Sequence, residues 1–541
     1  MKASTVEIVV VGSGAAALGA ALTAAVGGAE VLVLEKSESL GGTSAMSGGA
    51  VWVPCNHVAR AHGLSDSPEE ALDYLHATAP EGWAETEAPL WERFVHAAPR
   101  MLELVDAHTP LELEISGEPD PMAEHRGGKL NGRTVSPRPL RRSVAGAFRS
   151  RLRPSTLPNL FTYREILEHG PYQHPVRAVL ALLPKLVHRL LTGARGQGHA
   201  LIAGLVRGCL DHGCNIELGT RVVELVTDET GAVVGVTVER PGGREQIQAR
   251  RGVVIATGGF EWDDALREQH FPGPLDRIGS PRTNTGDGQR MAARAGAALA
   301  HMDQANVYAT LPTRYEGRIH GMPTLFHAAP HAIVVNRHGQ RFASEIDYNF
   351  GEFLDAREEG TGDPVHLPCW MIADAQFLAR SGMFRWYARK LPGWMRRAPS
   401  VASLAALIGV PAAALVETVE RFNRFAAAGR DEDFHRGEST WERFKSPATE
   451  GNPGPALGAI TRAPFVAVPV NRSILVTKGG PRTNADGQVL RPDGSVIGGL
   501  YCAGVAMANP IGTRAVGAGT TLGPCLTWGY ICGQSLLRSN R

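Results

Sequence analysis

Short apolar runs alternate with glycine-rich turns at the start of the chain. The stretch VEIVVVG (6–12) is almost continuously apolar, which is typical of a strand buried on both faces of a parallel sheet. SGAAALGAALTAAVGGA (13–29) has the small residues of a closely packed helix, and EVLVLE (30–35) predicts a second strand. The pattern therefore predicts a β-α-β unit.

The remaining pattern predicts a sheet that resumes later and an insertion within it. Residues 85–200 are mixed and rich in proline, with little periodic signal outside one helix, and we expect excursions from the first domain there. Residues 200–259 predict a helix, a strand, a hairpin and a further buried strand, so the sheet resumes. Aromatic residues and broken helices mark 296–452 as an inserted second domain, after which the chain is β-rich and ends in a helix over 521–537.

One predicted helix, over residues 175–191, is rich in large apolar residues. PVRAVLALLPKLVHRLL (175–191) is interrupted by Pro184, Lys185, His188 and Arg189, well short of the about 20 apolar residues that a membrane-spanning helix requires. We expect a soluble helix kinked at Pro184, with a helix lying on a membrane surface as the alternative.

Composition and charge exclude some classes of partner. A chain of 541 residues, 43% of them apolar, can form two cores, since single cores stop growing at about 250–300 residues. Its 55 basic and 54 acidic residues nearly balance, so we expect a small-molecule partner and no nucleic acid. The seven cysteines form no CxxC or CxxCH motif, which predicts reduced thiols and no metal site. The first strand begins too early for a signal peptide, so we expect a cytoplasmic protein without a transmembrane span, free or loosely held at a membrane.

The first turn has the features of a dinucleotide site. It reads Gly12-Ser-Gly14-Ala-Ala-Ala17, and Glu35 closes the second strand. The glycines allow the backbone to approach a pyrophosphate at the helix N-terminus, and the carboxylate accepts a hydrogen bond from a ribose hydroxyl. Strand, turn, helix and acid together predict dinucleotide binding.

Five ordered stretches identify the family that the chain resembles. EKSESLGGTSAMSGGAVWVP (35–54) resembles the FAD-binding segment of the fumarate reductase and succinate dehydrogenase flavoprotein superfamily. The same superfamily is matched by ATGGFE (256–261), NTGDG (284–288), VVNRHGQRFASE (334–345) and GLYCAG (499–504). The resemblance covers nearly the whole chain and implies FAD as the cofactor.

The resemblance implies an α/β fold. We expect a Rossmann-like FAD-binding domain of the glutathione reductase type over 1–295 and 453–541, with an inserted α+β substrate-capping domain over 296–452. The residues implied to bind FAD are Gly12, Gly14, Ala15, Ala16, Glu35, Lys36, Ser37, Gly42, Thr43, Ser44, Ser47, Gly48, Gly49, Ala50, Val222, Ala256, Thr257, Gly258, Asn284, Asp287, Gly504, Thr521 and Leu522.

Two absences refine the expected redox chemistry. Succinate dehydrogenases have a flavin-linking histidine where this chain has Gly42, so we expect noncovalent FAD. No second Gly-x-Gly-x-x-Gly follows another strand, so a dedicated NAD(P)H domain is missing and electrons must pass to another acceptor, such as a quinone.

Within the superfamily, SGGAVWVP (47–54) and GAGTTLGPCLTWGY (517–530) resemble the 3-ketosteroid dehydrogenase branch. That branch places a tyrosine three residues after the motif glutamate, which makes Tyr348 the implied base. The implied reaction is desaturation of a hydrophobic ketone: a base removes the α proton, the β hydrogen leaves as hydride to the flavin, and the Gly519 amide stabilises the enolate. Two other tyrosines of the branch are replaced by Ala515 and Pro121, so the steroid itself stays open.

Arg514 lies beside the missing tyrosine, in the loop IGTRAVGAG (511–519). It is a candidate for binding a substrate carboxylate, a ketone or reduced flavin, and the alternative is an ion pair with an acid at the domain interface. A carboxylate-binding role would favour an oxocyclohexanecarboxylate as substrate. A fumarate- or urocanate-reductase-like enoate reductase and a noncatalytic flavin-binding regulator are the other interpretations. His125, Arg126 and Tyr308 are secondary candidates for the lost donors.

Overall fold

A computed structural model describes residues 4–240, 242–446 and 456–539. Its largest sheet is parallel in the centre, with Ser4–Val11 between Val31–Leu34 and the long strand Gly243–Ile255. Asn215–Glu217 continues the sheet on one side and Val496–Cys502 on the other, where Gln488–Leu490 adds an antiparallel strand. The hairpin Arg221–Thr227 and Val233–Arg240 extends it from Gly243–Ile255. The predicted α/β fold class and the β-α-β start are confirmed.

Small residues bring three helices onto this sheet. The helix Ala15–Val26 packs against the last helix, Leu522–Arg538, and also against the helix Gln197–Asp211. The contact with the last helix is so close that a Cβ atom at Gly529 would lie 2.3 Å from the carbonyl oxygen of Ala16. Close packing of these helices fixes the turn between the first strand and the first helix.

A helix of 26 residues, Trp83–His108, was not predicted. Its apolar face packs on the main core, although Pro89 and Pro99 lie inside it. The Trp91 indole nitrogen donates a hydrogen bond to the carbonyl oxygen of Pro510 over 2.8 Å. This helix therefore supports the segment that leads into the loop 511–519.

A second core lies around two smaller sheets. One contains Ala332–Val335, Trp370–Ala373, Phe465–Pro469 and Arg396–Ala398, and the other contains Leu275–Ile278, Arg472–Thr477 and Ala305–Tyr308. Val401–Ile408 and Ala412–Ala428 form the broken helix predicted over 404–429, whereas the one predicted over 370–391 begins with the strand Trp370–Ala373. The core also includes Phe260, Phe271 and Val466, from both sides of the expected boundaries. The domain bounds at 295 and 453 remain predictions.

Shorter elements complete the scaffold. The helices are Gly42–Met46, His57–Ala61, Pro68–Thr78, Tyr163–His169, Asp264–His270, Asp287–Arg294, Phe350–Leu354, Ala375–Arg380, Gly382–Ala388 and Thr440–Lys445. Further strands include Val51–Trp52, Leu113–Ile115, Thr134–Pro137, Thr310–Tyr315 and Arg318–Pro323.

The apolar helix runs without interruption over Pro175–Thr192, through Pro184. Only Ala178, Leu182, Leu186 and Arg189 are buried on it. Large apolar side chains cover much of the remainder, and Leu191 is 83% exposed. Within the residues that the structure describes, no helix combines the length and apolarity needed to cross a bilayer.

Candidate active site and cofactor cleft

A cleft opens where the first two strands of the main sheet end. Gly12 follows the first strand with φ +114°, and a Cβ atom there would lie 2.3 Å from the carbonyl oxygen of Ala256. Only glycine fits this position without shifting the neighbouring strand. Gly14 caps the first helix, so the helix N-terminus faces the cleft with its positive end.

Glu35 lies at the edge of the cleft at the end of the second strand. Its carboxylate accepts hydrogen bonds from the Ser13 hydroxyl over 2.6 Å and from the Ser37 amide over 2.8 Å. Burial raises its pKa above the usual range, although these two donors oppose the shift. The carboxylate is thus fixed where the sequence predicts ribose binding.

Charged side chains close the same end of the cleft. Lys36 donates to the Asp287 carboxylate over 2.9 Å and to the Thr285 hydroxyl over 2.8 Å. Arg221 pairs with the other oxygen of Asp287 over 3.0 Å. Burial of Asp287 is outweighed by Arg221 and Lys36, which hold its pKa below the usual range.

Polar side chains at the other end are held by a buried carboxylate. Glu261 accepts from the Asn284 amide over 2.7 Å and from the Thr477 backbone amide over 3.1 Å. Asn284 also reaches the Thr43 hydroxyl over 3.0 Å. Thr257 lines the cleft, and its buried hydroxyl has no hydrogen-bond partner in the described residues, so it is available to a polar ligand.

Most of the predicted FAD residues meet in this cleft. Its lining includes Gly12, Gly14, Ala15, Ala16, Glu35, Lys36, Gly42, Thr43, Ser44, Val222, Ala256, Thr257, Gly258, Asn284 and Asp287. The sequence-based selection missed several lining residues, some of them at variable positions within or beside the motifs: Val11, Ser13, Leu34, Thr220, Arg221, Thr283, Ala503, Val505 and Cys525. Glycines for close approach, a buried acid at the end of the second strand and an unpartnered hydroxyl fit FAD, while the individual roles remain predictions.

The other predicted residues lie outside the described lining of this cleft. They are Ser37, Ser47, Gly48, Gly49, Ala50, Gly504, Thr521 and Leu522. Ser47 caps its own turn through a 2.7 Å bond to the Ser44 carbonyl, and the Thr521 hydroxyl accepts from Asn306 over 2.7 Å. Segment 47–50 leads from the cleft towards Gly519.

Gly519 has φ +88°, and a Cβ atom there would lie 2.5 Å from the carbonyl oxygen of Ala50. Its carbonyl accepts from the Trp52 amide over 3.2 Å. No group of the described residues accepts a hydrogen bond from the Gly519 amide. The part that this N–H plays towards an enolate remains a prediction.

Tyr348 lies in the wall of a separate cavity of about 310 Å³, together with Pro121, His125, Asn349, Trp441 and Arg514. Its ring packs edge-on against Trp441, with centroids 5.1 Å apart. Tyr308 lies close enough to Tyr348 for each phenol to affect the pKa of the other. Burial, followed by the neighbouring phenols, raises the pKa of Tyr348 well above its usual value of about 10.

A buried carboxylate lies close to this pair of phenols. The Tyr163 hydroxyl donates to Glu118 over 2.8 Å, and Lys445 approaches the other carboxylate oxygen at 3.4 Å. Burial and the Glu118 carboxylate raise the pKa of Tyr163. No motif marks Glu118, Tyr163 or Lys445, so these residues were missed in the sequence.

The segment that carries Tyr348 is fixed by the motif glutamate three residues earlier. Glu345 is fully buried and accepts from Arg341 at 2.9 Å, from Arg436 at 2.9 Å and from the Val334 amide at 3.1 Å. Burial would raise its pKa, but the two guanidinium groups hold it down at about 2. This ionic cluster holds the backbone before Tyr348 in a fixed position.

Arg514 borders the same cavity but is not free. Its guanidinium forms two hydrogen bonds with the Glu352 carboxylate, at 2.9 and 2.7 Å. Asn349 adds reciprocal bonds to the Ala515 backbone, at 2.8 and 3.1 Å. Arg514 therefore joins the loop 511–519 to the segment after Tyr348. Arg126 instead pairs with Asp73 at an 80% exposed position.

The opposite side of the loop is held by Lys478. Its fully buried ammonium donates to the carbonyls of Ile511 and Gly512 over 3.1 and 2.7 Å. Burial lowers the pKa of Lys478 to about 7.

Known proteins with similar sequences and structures include dehydrogenases named for ketone substrates. The profile of the FAD binding domain family matches residues 7–522. A 4-oxocyclohexanecarboxylate 2-dehydrogenase of Sinomonas cyclohexanicum is 36% identical, covering 98% of this chain and 93% of its own. A 3-oxosteroid 1-dehydrogenase of Mycobacterium tuberculosis is 34% identical over 98% of both chains. The crystal structure of a 3-ketosteroid Δ1-dehydrogenase from Sterolibacterium denitrificans, in complex with 1,4-androstadiene-3,17-dione, superposes with TM-score 0.87 at 31% identity, covering 99% and 100% of the two chains.

Proposed function

The chain belongs to the FAD binding domain family. From this premise we propose that it is an FAD-dependent dehydrogenase that desaturates a cyclic ketone. The substrate that we propose first is a 3-ketosteroid. The relatives named above act on such ketones. The observation that carries the proposal is the Tyr348 phenol in the wall of a cavity of about 310 Å³, since small-molecule sites have volumes of about 300–1,000 Å³.

The proposed reaction removes two hydrogens from neighbouring carbons. Tyr348 takes the α proton, the electrons of that bond form the enolate and then the double bond, and the β hydrogen departs with its electron pair. Bound FAD supplies the acceptor for that hydrogen and its two electrons. The free Gly519 amide donates to the enolate oxygen.

The raised pKa of Tyr348 determines the form in which it works. A neutral phenol does not accept a proton from carbon, so the Tyr348–Tyr308 pair must first lose one proton. Tyr348 opposes the rise in the pKa of Tyr308, whereas Tyr308 adds to the rise in the pKa of Tyr348, so the two phenols titrate as a coupled pair. Tyr308 is thereby part of the group that loses this proton.

The reverse reaction has less support. An enoate reductase of the fumarate reductase kind would need a cation that delivers a proton, and Arg514 is the candidate in the loop. Its guanidinium is held by two hydrogen bonds to Glu352. We therefore propose desaturation as the physiological direction.

Turnover with an artificial electron acceptor tests this function. We expect androst-4-ene-3,17-dione to yield a product two mass units lighter, with a new double bond beside the carbonyl. The same experiment with a saturated hydrocarbon of the steroid skeleton is the control. An unchanged steroid in the presence of FAD-loaded protein and acceptor would contradict the proposal.

We further propose that the protein associates loosely with membranes through the helix Pro175–Thr192. Val176, Leu180 and Leu191 are 72%, 67% and 83% exposed on it. The chain has no acidic residue between Glu168 and Asp211. An apolar face with basic flanks suits the surface of an anionic bilayer. Sedimentation with phosphatidylglycerol vesicles should retain the wild type, and Leu180→Ser/Leu191→Ser should remain in the supernatant. Equal sedimentation of both would contradict this role.

A membrane location would also suit the acceptor, for which we propose a quinone. The sequence has no second dinucleotide-binding motif for NAD(P)H. Reduced protein should be reoxidised much faster by a short-chain quinone than by NAD⁺. Faster reoxidation by NAD⁺ would reject the quinone.

A further inference from the structure

The cavity beside Tyr348 carries more negative than positive groups. Three carboxylates line it, from Glu124, Asp347 and Glu352, against the single guanidinium of Arg514 and the imidazole of His125. Such a cavity disfavours an anionic ligand, because like charges repel one another. The charge of the site is therefore a property that a substrate must match.

The Arg514 charge is already matched within the protein. Both of its bonds to Glu352 are short and parallel, and a third guanidinium nitrogen lies 3.5 Å from the Thr78 carbonyl. The paired side chains are 34% and 31% exposed. Bidentate guanidinium–carboxylate pairs are the geometrically specific kind of ion pair. A substrate carboxylate would have to displace Glu352 to use Arg514.

Asp347 adds to this effect on the other side of Tyr348. Its carboxylate accepts a hydrogen bond from the backbone N–H of Asn349 over 2.7 Å and lies in the cavity wall. Burial raises its pKa, and Glu442 and Glu352 add to the shift as neighbouring negative charges. Burial and the neighbouring carboxylates thus disfavour a negative charge at this place, and an incoming anion would meet the same opposition.

We propose that Glu352 makes this site selective for uncharged ketones, by occupying the one arginine that would otherwise bind a substrate carboxylate. The proposal rests on the desaturase function above and names its substrate class. A relative at 36% identity is named for a ketone that bears a carboxylate, so charge is a property by which substrates of such similar proteins differ. Glu352 acts here through Arg514 and is a specificity residue rather than a catalytic one.

The test compares two ketones that differ in charge alone, 4-oxocyclohexanecarboxylate and its carboxamide, by the rate of anaerobic flavin reduction. The wild type should reduce its flavin faster with the amide. Glu352→Gln should raise the rate constant for the carboxylate at least about tenfold relative to the amide, because a hydrogen bond to a charged group is worth about 1.5–3 kcal/mol. Glu352→Gln/Arg514→Gln should lose this gain, since it depends on the freed guanidinium.

Control variants and a third ketone separate the outcomes. Glu359→Gln removes an exposed carboxylate elsewhere in the chain and should leave the ratio of the two rates unchanged. An unchanged ratio in Glu352→Gln, or an equal fall with both ketones, would overturn the selectivity proposal. A carboxylate that stays unreactive in Glu352→Gln while neutral androst-4-ene-3,17-dione is converted would also overturn it. Failure of every ketone in the wild type would instead reject the desaturase function.

Discussion

The ammonium group of Lys478 donates a 2.7 Å hydrogen bond to the carbonyl oxygen of Gly512, from a position fully buried beneath the loop 511–519. No carboxylate of the described residues pairs with this ammonium; its other partner is the carbonyl of Ile511. Burying a cation whose only partners are carbonyl groups costs free energy of folding. We therefore expect the conformation of the loop 511–519 to depend on Lys478.

Lys478→Met should change how stability depends on pH. The pKa of Lys478 is about 7 in the folded protein and about 10.4 when unfolded. Between these values the unfolded chain binds more protons, so the free energy of unfolding rises with pH in the wild type. The variant should lose this rise, measured as the pH dependence of Tm at a fixed scan rate. Lys185→Met, at a 64% exposed position, is the control, and parallel curves for wild type and Lys478→Met would contradict the role of Lys478.

Tyr348→Phe should keep FAD but slow its reduction by ketone at least about a hundredfold, since general base catalysis contributes that much. In the wild type the rate should rise with pH towards pH 10, because the raised pKa requires loss of a proton before reaction. Stopped-flow absorbance across pH measures both effects. Tyr530→Phe, a phenol on the last helix, should behave as wild type, and normal rates in Tyr348→Phe would remove this residue from the mechanism.

Tyr308→Phe should shift the pH dependence of flavin reduction. Tyr308 adds to the rise in the pKa of Tyr348, so its removal should move the rise of the rate to lower pH. Stopped-flow absorbance across pH measures this shift. A lower rate with an unmoved pH profile would indicate a packing role instead.

Gly12→Ala should lose FAD. The added methyl group would lie 2.3 Å from the Ala256 carbonyl, which forms the wall of the cleft. Gly28→Ala is a matched control, because Gly28 also has positive φ (+85°) but no atom within 4 Å of the added carbon. Both variants therefore carry the strain of a positive φ, but only Gly12→Ala brings its methyl group against the Ala256 carbonyl. A difference in flavin content after gel filtration measures the effect of that contact. Equal flavin content in the two variants would contradict this placement of the cofactor.

Local sequence signals predicted the first β-α-β unit of the main sheet correctly. The first strand, the turn at Gly12 and the first helix form a contiguous pattern, and Glu35 follows at a fixed distance. The helix Trp83–His108 was missed because Pro89 and Pro99 normally end helices, whereas here tertiary packing maintains it.

Long-range pairings explain what the sequence left open. Arg514 was identified as unusual, with either a ligand or an acid as its partner, but Glu352 is 162 residues away and no local pattern connects them. Tyr163 and Glu118 likewise meet only through folding. The proposal of Tyr348 as the base came from family resemblance, and its environment of phenols and carboxylates came from the structure.

The most direct test of the desaturase function is anaerobic mixing of FAD-loaded protein with excess androst-4-ene-3,17-dione while the visible flavin absorbance is recorded. We predict rapid bleaching that slows when the steroid is deuterated at the carbons that lose hydrogen. A flavin spectrum that stays oxidised with this steroid and with neutral cyclohexanones, in protein whose flavin dithionite still reduces, would contradict the account.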